Sequence, residues 1–313
     1  MDLESTKVGI VKCLDYRDES LADALNTLTN ACPLPGNLRS SHIVIKPNLI
    51  SARRSPLACT DGRFILAVVR YFLDRGARVK VGDSPAFGTA EAVLARIGIL
   101  DALKGMAIKV VDFGRSETVC LPSGLKVGLA AEALHCDTLV NLPRVKAHVQ
   151  LRVTLAVKNF FGCVAGLRKP CWHMQYGGKS GRFFHHLVEL LTVLPQSITF
   201  TDGIVAMHKT GPIGGDPFDL GIVACSTNPV ALDRSLIEII GLASDASPLM
   251  VACSDAGLTG CDLEKLVFPL LEPQEVKVQN FKFPDFLEPV RFRPDRFLFS
   301  SVKRIILQRK SSI

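Results

Sequence analysis

Short apolar segments alternate with amphipathic segments along this chain, and that order constrains the fold more than any other feature. Residues 8–14 and 42–45 have the pattern of buried strands, whereas residues 21–31 carry leucines at helical spacing. A second helix is predicted after Thr60, an N-cap candidate, with an apolar side that ends at Phe72. Strands interleaved with helices predict an α/β fold: a mostly parallel sheet with helices on both faces.

The length of the chain permits two arrangements of this fold. The 313 residues can form one α/β domain over residues 1–290, or two lobes, 1–135 and 136–290, with a cleft between them. Residues 291–313 form a C-terminal tail with seven Lys or Arg and one acidic residue. As a helix this tail would be basic and amphipathic, able to contact an anionic membrane surface or a partner, or to dock on its own domain.

Charge and cysteine content narrow the class of protein. The net charge of +7 comes almost entirely from the tail, so the folded body lacks the basic face of a nucleic-acid-binding protein. The 10 cysteines form no C-x-x-C motif and are predicted to be free thiols in a reducing compartment. The N-terminus is acidic and no apolar run approaches the roughly 18 residues of a membrane helix, so a cytoplasmic protein is predicted.

Polar motifs follow four of the predicted strands. They are Lys46-Pro47-Asn48, Gly82-Asp83-Ser84-Pro85, the segment from Asn141 to His148, and Thr201-Asp202-Gly203. In open α/β sheets, ligands bind outside the carboxyl ends of the strands. The four motifs therefore predict a single ligand-binding crevice.

Cationic and helix-start groups in these motifs suit an anion. Lys46 and Lys146 can bind carboxylate or phosphate groups. Ser84 and Thr89 flank a predicted helix start, where free backbone N–H groups favour negative charge. The alternative is that Asp83 and Ser84 are only an N-cap before a proline.

A histidine and a second lysine are the candidates for proton transfer. Lys146 and His148 are two residues apart, so in an extended segment they face the same side. A neighbouring lysine favours neutral histidine, which suits a general acid or base, although His148 could also be structural. Residues 151–161 predict a helix on which Thr154 and Lys158 share a face; Lys158 is either desolvated and catalytic or an ordinary surface lysine.

Two glycine-containing segments are predicted loops. Residues 162–181 are long enough to form a flap. Residues 208–215, which include Gly211, form either an anion-binding turn or a plain loop. No metal site is predicted, because Cys171, His173 and the pair at 185–186 do not have zinc-site spacing.

The chain resembles a family called domain of unknown function 362. The resemblance lies in the segment 140–148, in Val157-Lys158-Asn159-Phe160-Phe161-Gly162-Cys163, and in the motifs after the other strands. Asp233 completes the pattern, and the resemblance covers about residues 7–265. The chain is more distantly similar to the nickel-pincer lactate racemases. Many members of the first family carry a ferredoxin-like cysteine segment, which implies an association with iron–sulfur proteins. This chain lacks that segment, so no intrinsic iron–sulfur cluster is expected and a redox role would need a partner.

These observations lead to the hypothesis of an enzyme that acts on a small anionic substrate or cofactor by redox or isomerase-type chemistry. His148 would be the leading acid or base, with Lys146, Lys158 and Asp202 as further catalytic groups. The predicted binding residues are Lys46, Asn48, Asp83, Ser84, Asn141, Thr154, Asn159, Gly203 and Gly211. The rival hypothesis is a non-catalytic cofactor-binding or electron-transfer accessory protein of an iron–sulfur partner.

Overall fold

The computed structural model describes residues 1, 3–34, 36–51, 56–165 and 181–288. Their strands are β1 (Gly9–Lys12), β2 (His42–Pro47), β3 (Arg78–Asp83), β4 (Lys109–Asp112), β5 (Ser116–Cys120), β6 (Lys126–Ala130), β7 (Thr138–Leu142), β8 (Arg144–His148), β9 (Arg152–Thr154), β10 (Ser197–His208) and β11 (Asp216–Ser226). Their α-helices are α1 (Asp18–Ala31), α2 (Gly62–Leu73), α3 (Ala90–Arg96), α4 (Leu100–Gly105), α5 (Ala131–Leu134), α6 (Ala156–Asn159), α7 (Arg182–Val193), α8 (Pro229–Ile239) and α9 (Pro248–Asp255).

A mixed, mostly parallel sheet organises the described residues. Its main path runs β1-β11-β10-β7-β2-β3-β4, and β8 joins it beside β10. The pairs from β10 through β4 are parallel, whereas β1, β11 and β10 pair antiparallel. Strands from 1–135 and from 136–290 belong to this same sheet. The division into lobes stays a prediction.

Helices cover the two faces of the sheet, as the sequence predicted. One apolar core is formed mainly by α1, α2 and α3 against residues such as Ile45 and Phe200. The other is formed by α6, α7, α8 and α9 against residues such as Val44 and Leu139. Because β2 and β7 are buried on both sides, their side chains alternate between two apolar cores and not between core and solvent. The α/β fold is confirmed.

The start of α2 differs from the prediction by one residue. Asp61, and not Thr60, is the N-cap, and its side chain accepts a hydrogen bond from the backbone N–H of Arg63. The Thr60 hydroxyl is engaged elsewhere: it donates to the carbonyl of Leu142 over 2.6 Å and accepts from the N–H of Asn48 over 2.8 Å. Thr60 therefore ties the segment after β2 to the end of β7.

The predicted helix over 151–161 is wrong. Residues Arg152–Thr154 form β9, which pairs antiparallel with β8, and the helix α6 spans only four residues before a 3₁₀ turn at Phe160–Cys163. The chain reverses after β8 at Arg152, whose φ of 63° is left-handed. A β-branched pair, Val153 and Thr154, then favours extended backbone over helix.

The tail, residues 291–313, lies outside the described residues, as do residues 166–180 of the predicted flap. Within the described part of the chain, no helix combines the length and apolar character needed to cross a membrane.

Candidate functional site

A buried ion pair joins the ends of β2 and β3. Lys46 Nζ lies 2.9 Å from Asp83 Oδ1, and both side chains are almost fully buried. The ammonium also donates to the carbonyl of Pro47 (3.2 Å) and to Asn159 Oδ1 (3.4 Å). The other carboxylate oxygen, Asp83 Oδ2, accepts from the N–H of Leu49 over 2.9 Å. This arrangement fixes the backbone of residues 46–49, which carries the first predicted motif.

Two asparagines hold α6 against the sheet beside this pair. Asn159 Nδ2 donates to Asn141 Oδ1 over 2.8 Å. Asn141 Nδ2 donates in turn to the Ala156 carbonyl (3.1 Å) and to Thr199 Oγ1 (3.2 Å). Asn141 and Asn159 were predicted as binding residues. Their hydrogen bonds make them the link between β7, β10 and α6, next to Lys46.

Gly162 packs directly on the ion pair. A Cβ at this position would be 2.5 Å from Asp83 Oδ1 and closer still to Lys46 Nζ. Only glycine lets the backbone approach two charged groups this closely. The turn after α6 therefore covers the Lys46–Asp83 pair.

A second hydrogen-bonded group surrounds Asp202, toward α1 and α2. Asp202 Oδ1 accepts from the Tyr16 hydroxyl (2.7 Å) and Oδ2 accepts from the backbone N–H of Asp61 (2.9 Å). Arg144 Nε lies 3.7 Å from Asp202 Oδ2, and Arg144 Nη2 donates to Tyr16 over 3.0 Å. Burial raises the pKa of Asp202, and the nearby guanidinium opposes that rise. These contacts join Asp202 to Tyr16, to Arg144 and to the backbone at the start of α2.

Lys146 lies between these two groups on β8. Its side chain is fully buried, and Nζ donates to Asn48 Oδ1 and to the carbonyl of Ala58 (2.9 Å). In the described part of the chain no carboxylate lies within ion-pair distance of this amine. Burial lowers the pKa of Lys146 to about 7, and the positive charges of Arg144 and Lys46 contribute to the decrease.

His148 follows Lys146 on the same side of β8 and is 7% exposed. Its Nδ1 accepts a hydrogen bond from the backbone N–H of Gln150 over 3.0 Å. A backbone N–H can only donate, so the proton of the neutral ring is on Nε2. In this tautomer Nε2 is a hydrogen-bond donor, and the role of His148 as a general acid or base stays a prediction.

Thr154 and Lys158 do not share a helix face. Thr154 lies on β9 directly opposite Lys146, with 6% of its surface exposed. Its hydroxyl has no hydrogen-bond partner among the described residues. Lys158 lies on α6 and its ammonium stacks on the ring of Phe161, with 4.1 Å between Nζ and the ring centroid. The expected pairing of these two residues is wrong, although Thr154 does reach the site by another route.

Ser84 does not cap a helix. The helix α3 begins at Ala90, and its N-cap is Thr89, whose hydroxyl accepts from the N–H of Ala92 over 3.2 Å. Asp83 cannot act as the cap either, because both of its carboxylate oxygens are engaged at the β2 end. Ser84 itself is buried beside Asp83.

The two predicted glycines are positions of close backbone packing. A Cβ on Gly203 would lie 2.9 Å from a side-chain carbon of Ile222 on β11, next to an irregularity in the β10–β11 register. A Cβ on Gly211 would overlap the carbonyl of Ala147. Gly211 accepts from the N–H of Val149 over 3.1 Å, so the 208–215 turn packs on the end of β8.

The charged residues thus meet at one edge of the sheet, in two groups on either side of the segment that follows β2. Lys46 and Asp83 lie toward α6, whereas Arg144, Lys146 and Asp202 lie toward α1 and α2. Asn48, bonded to Lys146, is two residues from Lys46. We call Lys46, Asp83, Arg144, Lys146 and Asp202 the buried charge cluster. Each of them is at most 3% exposed. Three are cations and two are carboxylates, so the cluster carries one excess positive charge when Lys146 is protonated.

Four residues that build this site were not predicted from the sequence: Tyr16, Cys59, Asp61, and Asp233 in its structural role. The carbonyl of Cys59 accepts from Arg144 Nη1 over 2.8 Å. Asp233 accepts from the first two N–H groups of α6, those of Ala156 (2.7 Å) and Val157 (3.1 Å), and burial raises its pKa to about 8. Only Asp233 had a signal in the sequence, which is its place in the family pattern. Tyr16, Cys59 and Asp61 had none, because their partners in the site are distant in sequence.

The fold and this cluster define an α/β protein with a mostly parallel sheet and a buried Lys, Arg and Asp site at the carboxyl ends of its strands. Residues 43–238 match the domain of unknown function DUF362, and the chain belongs to that family. The resemblance inferred from sequence is confirmed.

A relative and two solved structures are similar to this chain. The thylakoid-associated protein sll1697 of Synechocystis is 35% identical over 306 residues, which are 96% of this chain and 95% of that protein. The lactate racemase apoprotein of Thermoanaerobacterium thermosaccharolyticum has a TM-score of 0.46 at 12% identity, over 76% of this chain and 58% of that one. A Thermotoga maritima protein has a TM-score of 0.41 at 10% identity, over 67% and 57%. This chain therefore spans little more than half the length of those two structures.

Proposed function

We propose that this protein is an enzyme that acts on a small anionic substrate or cofactor at the buried charge cluster. The excess positive charge of that cluster is the observation that carries the proposal. An isolated buried charge costs on the order of several kcal/mol unless it is paired or neutralised. This cost applies to a buried lysine as it does to a buried carboxylate. The site can remove its excess charge either by binding an anion or by losing a proton from Lys146.

Nearby charges outside the cluster do not supply the missing anion. Asp61 is a further carboxylate on the α2 side, and Arg63 binds it through two hydrogen bonds of 3.0 Å. Asp233 lies at the start of α6, where its oxygens accept from backbone N–H groups. A bound carboxylate or phosphate would instead pair with Lys146 directly.

Each residue of the site has a distinct part in this proposal. Lys146 binds the anion, and His148 beside it is the general acid or base. Asp202 orients Arg144, and Lys46 with Asp83 holds the segment that carries Asn48. The reaction would be of redox or isomerase type, at a carbon next to the anionic group, and Lys158 is placed to assist on the α6 side.

Ligand binding linked to proton uptake tests the proposal. Wild-type protein is titrated with acetate, phosphate and other small anions at pH 8 by calorimetry, in Tris and in HEPES. Because an anion restores the ammonium form of Lys146, binding should take up close to one proton, which appears as a buffer-dependent binding enthalpy. Turnover is then sought for each ligand under oxidising and reducing conditions.

Two variants decide whether the cluster is responsible. Lys146→Met should weaken binding at least about tenfold, equivalent to roughly 1.4 kcal/mol. Lys209→Met is the matched control, since Lys209 is about half exposed and pairs with Asp216 at the surface. Equal binding by wild type and Lys146→Met, or no stabilisation by any anion, would refute the proposal. Binding without turnover would favour an accessory protein that serves a redox partner.

We further propose that the chain is cytoplasmic and contacts an anionic membrane surface through residues 291–313. The support is the charge of that tail, with seven basic residues and one acid, and the name of the thylakoid-associated relative. Full-length protein should cosediment with vesicles that contain anionic lipid and not with neutral vesicles, and binding should fall at high salt. Equal binding by a chain that ends at residue 290 would contradict this assignment.

A further inference from the structure

The two fully buried lysines of the cluster differ in the charge of their neighbours. Lys46 Nζ donates two hydrogen bonds, to the Pro47 carbonyl and to Asn159 Oδ1, and lies 2.9 Å from Asp83 Oδ1 in an ion pair. The carboxylate of Asp83 therefore compensates the charge of Lys46 directly.

Lys146 Nζ has two acceptors among the described residues, Asn48 Oδ1 and the Ala58 carbonyl, and both are neutral. A neutral amine has two N–H donors and one lone pair. Two neutral acceptors therefore satisfy the neutral amine completely and leave its lone pair for another atom, whereas an ammonium would keep one N–H without an acceptor. The lowered pKa of Lys146, about 7, agrees with this geometry.

A second polar group next to Lys146 has no hydrogen-bond partner within the part of the chain that the structure describes. Thr154 lies opposite Lys146 in the β8–β9 register, so the two side chains are neighbours on the same face of that pair. The Thr154 hydroxyl is buried and makes no hydrogen bond within the described residues. An unpaired buried hydroxyl costs about 1–3 kcal/mol, which a bound oxygen atom would recover.

We propose that Lys146 is a nucleophile that forms an imine with a small carbonyl compound carrying a carboxylate or phosphate, and that Thr154 binds the oxygen of that ligand. This inference rests on the proposed function, because it names the substrate class of the same site. It accounts for both unusual features, the available lone pair and the unpaired hydroxyl.

The chemistry balances without an oxidant or a cofactor. The Lys146 nitrogen attacks the carbonyl carbon and a C–N bond forms. Proton transfer from nitrogen to oxygen gives a carbinolamine, and the oxygen leaves as water after it takes up one more proton. The product is a protonated imine with one positive charge on nitrogen. The carboxylate or phosphate of the same ligand neutralises that charge, so the cluster ends with no excess.

The surroundings of Lys146 favour this reaction over simple salt-bridge formation. Arg144 and His148 flank Lys146 on the same side of β8. The positive charge of Arg144 disfavours protonation of the free amine. The Ala58 carbonyl, at the end of the turn Pro56–Ala58, accepts a hydrogen bond from the amine and holds it in place.

Reductive trapping tests the inference in the intact, full-length protein. The protein is incubated at pH 7 with glyoxylate, then treated with sodium borohydride, digested and mapped by mass spectrometry. Borohydride delivers hydride to the imine carbon, which leaves a stable carboxymethyl group on the lysine. An amine with a pKa near 7 is about a thousandfold more deprotonated at pH 7 than an ordinary lysine. Even with its lower basicity, we expect Lys146 to be labelled at least about tenfold more than Lys46 or surface lysines.

Three probes separate the parts of the inference. Glyoxylate has a carbonyl and a carboxylate, acetaldehyde has only the carbonyl, and acetate has only the carboxylate. Glyoxylate should label Lys146 best, acetate should slow that labelling by competition, and acetaldehyde should label it weakly. Thr154→Val should reduce trapping by glyoxylate while Lys46 remains unlabelled. The preference for Lys146 should disappear in denaturant, which equalises the lysines.

The outcomes distinguish this inference from the proposed function. If acetate or phosphate stabilises the protein but Lys146 is labelled no more than surface lysines, the imine is refuted and the anion site stands. If acetaldehyde labels Lys146 as well as glyoxylate does, the substrate class is refuted. If no anion stabilises the protein and no selective label appears, both are refuted. Because labelling is mapped in wild-type protein, the result does not depend on any variant folding.

Discussion

The protonation state of Lys146 can be measured through the pH dependence of folding stability. Burial lowers its pKa from 10.5 to about 7. Between these values the unfolded chain binds a proton that the folded chain does not, so the free energy of unfolding must rise with pH. The limiting slope is about 1.36 kcal/mol per pH unit. Since Lys146 is half protonated at pH 7, the integrated rise from pH 7 to pH 9 is about 2.3 kcal/mol.

Comparison with Lys146→Met isolates this contribution from other titrating groups. Burial raises the pKa of Asp233 to about 8, so the folded chain keeps a proton that the unfolded chain loses above about pH 4. Stability from Asp233 therefore falls as pH rises toward 8 and opposes the effect of Lys146 in wild-type protein. Both proteins contain Asp233, and the difference between their unfolding free energies cancels it.

Urea unfolding at pH 7, 8 and 9 supplies the measurement. The wild-type protein should gain about 2.3 kcal/mol relative to Lys146→Met over this range, or roughly 0.8 M in midpoint for an m-value of about 3 kcal/mol/M. Lys209→Met, the surface control, should show no such trend. A constant difference between wild type and Lys146→Met from pH 7 to pH 9 would mean that Lys146 stays protonated, and the lone-pair argument would then be wrong.

Three further predictions concern the residues that hold the site together. Gly162→Ala should destabilise the fold by about 1–3 kcal/mol in urea unfolding, because its Cβ would overlap the Lys46–Asp83 ion pair. Gly105→Ala is the control and should cost little, because a Cβ there meets nothing within 4 Å. Equal effects of the two substitutions would contradict the packing argument. Lys46→Met should lower the free energy of unfolding by about 3–5 kcal/mol, because it leaves Asp83 buried without its ion-pair partner. The double variant Lys46→Met with Asp83→Leu should recover most of that loss. If the losses of the two single variants add in the double variant, the ion pair does not account for the effect. Asp233→Asn should remove the fall in stability that protonated Asp233 causes between pH 5 and pH 8, which is at most about 1.36 kcal/mol per pH unit. The same urea unfolding series measures it. An unchanged slope would show that this carboxyl is not the titrating group.

Local sequence pattern was sufficient wherever a segment is regular and buried. The strand at 42–45 and the apolar side of α2 were predicted because β-strand and helix periodicities are properties of consecutive residues. The position of four polar motifs at the carboxyl ends of strands followed from the alternation of strands and helices. The same reasoning placed Lys46, Asp83, Lys146 and Asp202 at one edge of the sheet.

The errors arose where a short segment takes its conformation from distant partners. Residues 151–161 have apolar spacing compatible with a helix, yet pairing with β8 makes the first part a strand. Asp233, some 75 residues later, then fixes the start of α6. Ser84 follows a strand and precedes a proline, which resembles an N-cap, but Asp83 is committed to Lys46 and the helix begins at Ala90. Neither partner is visible in the local pattern.

The sequence by itself determined the α/β class and the edge of the sheet that carries the polar residues. It also determined which lysines and which histidine lie at that edge. Strand and helix periodicity is local, and the ends of parallel strands share one edge, so no tertiary information was needed. Only the tertiary structure decided that Lys46 has a carboxylate within ion-pair distance, while Lys146 has two neutral hydrogen-bond acceptors. Charge state and reactivity depend on burial and on neighbours, and those neighbours (Asn48, Ala58 and Thr154) reach Lys146 only when the chain folds.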